Sequence, residues 1–191
     1  MVDGYNSACG SYTISVTENG PCDLTWPPGA FPEGEPDCYD GYYDSYDGGC
    51  NGSGWIYTCP DSQTFWGNSG TYLYQGLSYR DTDWYSTWGT GSTMTETCVA
   101  EFPLLLVFIY GTSCADPRYD YTVAHACQTV SLSHTVAAGV EAWMWVGPSQ
   151  FNGIPCGSHY VLSLSGLGPG YPCGGEATEP TTWGAVKSLY R

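Results

Sequence analysis

Residues 104–110 read Leu104-Leu105-Leu106-Val107-Phe108-Ile109-Tyr110, seven apolar side chains in a row. The run is far shorter than the roughly 20 residues needed to span a bilayer. Its composition predicts a central β-strand buried on both faces. Working outward, shorter runs alternate polar with β-branched or aromatic residues: 71–75, 83–88, 92–100, 119–124, 128–133, 140–146 and 160–165, with a detached run at 12–17. Gly, Asn, Asp and Pro punctuate them. Short strands separated by turn residues, with no convincing amphipathic helix before the C-terminus, predict an all-β sandwich or barrel.

Charge narrows the function classes. The 191 residues include 4 basic and 19 acidic side chains, a net charge of −15. So few cations cannot neutralise a row of phosphates, which argues against nucleic acid. An anionic membrane surface repels the chain for the same reason, and no membrane insertion is expected. Scarce Lys and Arg beside 26 Gly exclude a coiled coil. A 42% apolar content is enough to build a core.

Ten cysteines in a chain of this size point to an oxidising compartment. The even count allows five disulfides with no thiol left over, although sequence alone does not fix the pairing. There is no C-x-x-C, and His125, His134 and His159 are scattered, so zinc is disfavoured. Met1-Val2-Asp3-Gly4 does not open a signal peptide. Either a signal was removed and a start residue added, or the chain was cut from something longer. A secreted protein is expected.

The organisation reads as four parts. Residues 1–20 form an N-terminal strand arm with Tyr12, Ile14 and Val16 on one face. Residues 21–36 form an extended linker with five prolines, 37–166 a β-sandwich domain, and 167–191 a short C-terminal tail. The linker is long enough to carry the arm across its own domain or onto a neighbour. Cys9-Gly10-Ser11 before the arm echoes Cys156-Gly157-Ser158 before the last strand.

Two acidic clusters carry the most chemistry, Glu33-Gly34-Glu35-Pro36-Asp37 and Arg80-Asp81-Thr82-Asp83-Trp84-Tyr85. Calcium takes six to eight oxygen ligands, and two D-x-D-like groups converging on a loop supply four carboxylates. Alternatively these are solvated turn acids that cap strands.

The pairing of E-P-D with D-T-D-W-Y resembles the bacterial pre-peptidase C-terminal domain and the related collagen-binding domains of clostridial collagenases. Glu35-Pro36-Asp37-Cys38, Gly48-Gly49-Cys50-Asn51, Ala100-Glu101-Phe102-Pro103, Val146-Gly147-Pro148 and Pro155-Cys156-Gly157-Ser158 are similar to a cysteine-rich subgroup found in secreted bacterial multidomain proteins. The resemblance covers about residues 33–166. It implies a jelly-roll-like antiparallel β-sandwich, disulfide-stapled here. It also implies calcium, held by Glu33, Glu35, Asp37, Asp81 and Asp83. Asp37 stands where the family usually has Asn, which keeps an oxygen ligand.

Between the clusters, residues 37–50 are rich in Tyr and Asp and suit a loop closed by a Cys38–Cys50 disulfide. A Cys114–Cys127 bond is expected to close a similar hairpin. Tyr42, Tyr43 and Tyr46 are candidate ligand-binding residues, because tyrosine offers rigid amphipathic area at low entropy cost. Asp40, Asp44 and Asp47 are candidates for a second calcium, and a surface loop kept soluble by its acids is the plain alternative. Among the tryptophans, Trp84 and one of Trp143 and Trp145 are expected in the core, while Trp55, Trp66 and Trp88 look exposed.

Catalytic patterns are absent: there is no G-x-S-x-G, no H-E-x-x-H and no glycine-rich phosphate loop. The first expectation is a non-enzymatic structural or adhesive subunit, calcium-stabilised, that assembles with copies of itself into a filament or oligomer by donating its N-terminal strand. The alternative is a carbohydrate- or matrix-protein-binding ancillary module of a larger secreted hydrolase, with an extracellular glycan or matrix protein as partner.

Overall fold

The computed structural model describes residues 22–168. Twelve strands follow in chain order: β1 Phe31–Pro32, β2 Ile56–Tyr57, β3 Asp61–Ser69, β4 Thr71–Tyr74, β5 Leu77–Arg80, β6 Asp83–Trp88, β7 Thr93–Ala100, β8 Leu104–Gly111, β9 Arg118–Ala124, β10 Val130–Thr135, β11 Glu141–Pro148 and β12 Ser158–Leu167. Among the described residues there is no helix, hence none long and apolar enough to cross a membrane.

Two five-stranded sheets have the orders β1-β3-β12-β7-β10 and β2-β6-β11-β8-β9. Their eight long strands follow jelly-roll order, with every chain-sequential pair but β8–β9 crossing from one sheet to the other. Pairing is antiparallel except at two edges, where the two-residue β1 and β2 lie parallel to β3 and β6. A separate hairpin, β4–β5, stands outside both sheets.

Alternation explains the packing. Met94, Cys98 and Ala100 of β7, Leu104, Leu106 and Phe108 of β8, and Tyr160, Leu162 and Leu164 of β12 meet between the sheets. Tyr85 from one sheet and Tyr160 from the other join their hydroxyls across this core at 2.6 Å. On the outer face of the β7 sheet, hydroxyls pair across strands: Thr95 with Ser133 and Thr97 with Ser131, both at 2.8 Å.

Residues 104–110 do form a strand, but its two faces differ. Leu104, Leu106 and Phe108 are buried, whereas Leu105 and Val107 are only half-buried. Strands buried on both faces are β11, at the centre of its sheet, and its neighbour β6. Ala142, Met144 and Val146 enter the main core, while Trp143 and Trp145 join Trp84 and Ile109 in a second cluster on the outer face. Both Trp143 and Trp145 are therefore buried, and Trp55 packs on Trp143 at 5.5 Å. Trp66 is also covered, stacked between Trp26 and His159. Trp88 stacks on Tyr57.

The proline-rich segment lies on the sandwich from residue 22 onward. Cys22 is bonded to Cys127, the Leu24 amide donates to Glu101 at 2.8 Å, and Phe31 pairs with Phe65. The arm, with Tyr12, Ile14 and Val16, and the tail from 169 fall outside the described residues.

The disulfides correct the local pairing expected from sequence. Cys38 bonds Cys156, Cys50 bonds Cys114, and Cys127 bonds Cys22. Neither the Cys38–Cys50 nor the Cys114–Cys127 loop closes on itself. The jelly-roll crossovers bring together cysteines separated by 118, 64 and 105 positions, so each bond ties different elements. Cys59 is also disulfide-bonded. Cys98 is a free thiol buried in the core, which removes the expectation of five bonds with nothing left over.

Candidate cation site and tyrosine cleft

The acidic segments converge. Glu35, Asp44 and Asp47 offer carboxylate oxygens that all lie within 4.8 Å of one another. The segment between Cys38 and Trp55 brings the two aspartates in. Asp44 Oδ1 accepts the Tyr46 amide at 3.0 Å, a local turn, and the Asp47 carbonyl accepts the Trp84 amide at 3.0 Å. Gly48 leaves the room this turn needs, since a Cβ there would strike the Asp44 carboxylate.

Asp81 and Asp83 come from the head of β6. Both are completely buried, at 0% exposure, and none of their four carboxylate oxygens has a hydrogen-bond partner. Glu35 Oε2 and Asp47 Oδ1 are unpartnered as well. Asp83 shares the inward face of β6 with Tyr85. Its charge is felt together with those of Glu33, Asp47, Asp81 and Glu35.

Burial governs the protonation of this group. Loss of water raises Asp47 to about 11, with Glu35 beside it adding to the rise. Asp81 is raised to about 9 by burial and then by Glu35 and Asp44. Asp83 lies well above the usual carboxylate range for the same first reason. Glu33 is raised to about 8 by burial, against hydrogen bonds from Asn68 and Tyr160 that favour its charge.

Sequence reasoning placed Glu33, Glu35, Asp37, Asp81 and Asp83 together. Glu35, Asp81 and Asp83 do share this buried region. Glu33 is electrostatically part of the same region but its oxygens are already partnered: Oε1 accepts the Asn68 amide at 2.6 Å and Oε2 accepts the Tyr160 hydroxyl at 2.8 Å. Gly67 opens the space for that pair, because a Cβ there would strike both side chains. Asp37 is exposed and faces Gly157. Of the expected second trio, Asp44 and Asp47 belong with Glu35. Asp40 instead accepts the Leu73 amide at 2.9 Å on the exposed hairpin. The sequence marked these aspartates as a separate calcium group, and the fold instead joins two of them to Glu35.

Beside the acids lies a cleft of about 470 Å³. Tyr42 forms part of its wall, and its hydroxyl donates to Glu35. Tyr43 also lines the cleft and is exposed, whereas Tyr46 is exposed but lies outside it. Sequence reasoning missed Tyr72, Tyr74 and Tyr79, which the β4–β5 hairpin brings to the same cleft. Tyr72 and Tyr79 stack at 5.8 Å, and Tyr79 meets Tyr74 edge-on at 6.0 Å. The alternation of Tyr72 and Tyr74 in the sequence was the available signal.

No family model matches the chain, and no curated protein matches it. Among solved structures it is similar to a pre-peptidase C-terminal domain of collagenase from Bacillus anthracis. That structure is 14% identical, with 58% of this chain and 93% of that chain covered, at a TM-score of 0.40. At that identity the likeness says nothing of ligand or activity.

Proposed function

We propose that the chain is a calcium-stabilised, non-enzymatic extracellular binding module. The observation that carries the reading is the set of buried carboxylate oxygens at Asp81, Asp83, Asp47 and Glu35 with no partner. Burying charge unpaired is costly, and so is leaving a buried acceptor unsatisfied. A divalent cation resolves both, and hard oxygen donors in this number suit calcium. Glu35, Asp44 and Asp47 hold the ion, with Asp81 and Asp83 bordering it. The ion supplies charge neutralisation, and the disulfides that tie the surrounding loops suit an extracellular setting. In the test, metal-stripped protein is melted with calcium and with chelator. Calcium is expected to raise the unfolding temperature, and Asp47→Asn to remove most of the rise. No shift in the parent protein would sink the reading.

Assembly by strand donation is a second reading. It is favoured by β9, which ends its sheet and exposes Tyr119, Tyr121 and Val123. An edge strand of this kind is a template for a further strand. Oligomers seen by light scattering that vanish when residues 1–20 are deleted would support it, and a monomer in both cases would exclude it.

A further inference from the structure

The β4–β5 hairpin stays out of the two sheet cores and packs Tyr72 into a small separate cluster with Cys38 and Tyr42. Leu73, Leu77 and Tyr79 are exposed, and the hairpin pairs with neither sheet. What it builds is a wall of the cleft. Tyr74 and Tyr79 present a compact aromatic surface backed by the buried Tyr72, and Asp44, Asn51 and Arg80 stand around it. The Arg80 guanidinium is positioned over the Phe151 ring at 4.1 Å and the Trp145 ring at 5.2 Å, and it donates to the Pro148 carbonyl at 3.0 Å. A guanidinium carries five N–H donors, so donors remain for a ligand.

We infer that this cleft binds a neutral oligosaccharide, and that the cation site holds one of its walls. A pyranose ring offers an apolar C–H face to an aromatic surface and hydroxyls at every edge. The cleft matches that pattern, with tyrosine rings as the platform and the planar Asn51 and Arg80 groups able to bond paired hydroxyls. Its volume lies in the range of small-molecule sites. Charge selects within the class: a chain of formal net −15 repels acidic polysaccharides, and Arg80 in the lining disfavours a cationic one, so the sugar is uncharged. Asp44 belongs both to the cleft lining and to the carboxylate trio, and Tyr42 joins the cleft to Glu35. An ion that fixes Asp44 and Glu35 therefore fixes that side of the cleft. The inference rests on the calcium-stabilised module proposed above.

The test is calorimetric titration of the full chain with cellohexaose, xylohexaose, mannohexaose and chitohexaose, in calcium and after chelation. Variants Tyr79→Ala and Tyr121→Ala are run alongside, the latter on the distant β9. At least one of the four sugars is expected to bind in calcium. Chelation and Tyr79→Ala should each weaken binding about tenfold or more, equivalent to about 1.4 kcal/mol. Tyr121→Ala should leave it unchanged, and all three proteins should keep the calcium-induced rise in unfolding temperature. No binding of any sugar, with that rise intact, overturns the sugar inference and leaves the module standing. Loss of the rise in the parent protein overturns the module itself. Sugar binding indifferent to Tyr79→Ala or to chelation overturns the assigned cleft or its link to the ion. Capture of polygalacturonate or a triple-helical Pro-Pro-Gly peptide in place of the neutral sugars overturns the ligand class.

Discussion

Glu96 carries a carboxyl into the core between the sheets. It is 0% exposed, and neither of its oxygens has a partner. Burial alone raises its proton affinity well above the usual carboxylate range. The folded state therefore holds this proton more tightly than the unfolded chain does. Stability from this group is complete below the ordinary glutamate range, near pH 4, and is lost as pH rises toward the folded value. Glu96→Met keeps the length and removes the unsatisfied acceptors. It should stabilise the protein at neutral pH by about 1–3 kcal/mol, with a smaller gain near pH 4. Chemical denaturation at the two pH values checks this, and an equal or opposite effect would refute it. In the sequence, Met94-Thr95-Glu96-Thr97-Cys98 already places Glu96 on the inward face by alternation. What alternation does not reveal is that no partner awaits it there.

At the scale of elements, strands with strong alternation or continuous apolar character were legible: β6, β7, β8, β9, β11 and β12 all fall close to their expected runs. The nine-residue β3 was not. Its buried positions include Phe65, Gly67 and Ser69, so only one large apolar side chain marks the inward face. Tyr160 and Glu33 fill the space above Gly67, and that exchange of volume is invisible in the strand's own sequence. The hairpin strand β5 escaped for a different reason, since nothing in it packs into a core. Disulfide pairing failed because sequence proximity favours local loops, while the crossovers join distant ones. Cys50–Cys114 spans 64 positions and anchors the segment that carries Asp44 and Asp47. Replacing both cysteines by Ser should cost about 4 kcal/mol on chain-entropy grounds. It should also weaken calcium binding, because the two aspartates lose their anchor. Denaturant melts and calcium titration of the double variant test both points, and unchanged calcium affinity would separate the bond from the site.

For the whole molecule, the governing fact is acidity. The carboxylates of the site lie in a chain of formal net charge −15, and burial holds protons on Glu33, Asp81 and Asp47 up to about 8, 9 and 11. Each of these folded values lies above the unfolded one. Without an ion, the stability they contribute is therefore complete in acid and is lost as pH rises through those values. Calcium reverses the preference, since it binds the deprotonated carboxylates and releases their protons. Much of this was legible: the acids Glu35, Asp81 and Asp83 stood out as clustered D-x-D-like groups, and Asp44 and Asp47 as candidates for a separate calcium. What the sequence did not show is that Asp44 and Asp47 join Glu35 in one group, because only the folded loop brings them there.

The most direct measurement is the unfolding temperature of metal-stripped protein from about pH 4 to about pH 9, with calcium and with chelator. With chelator, the unfolding temperature is expected to fall steadily as pH rises. With calcium, the curve should lie higher above the carboxylate range and flatten, and Asp47→Asn should return it toward the chelated curve. Superimposable curves with and without calcium would contradict the account, because the buried carboxylates would then be kept by protonation alone.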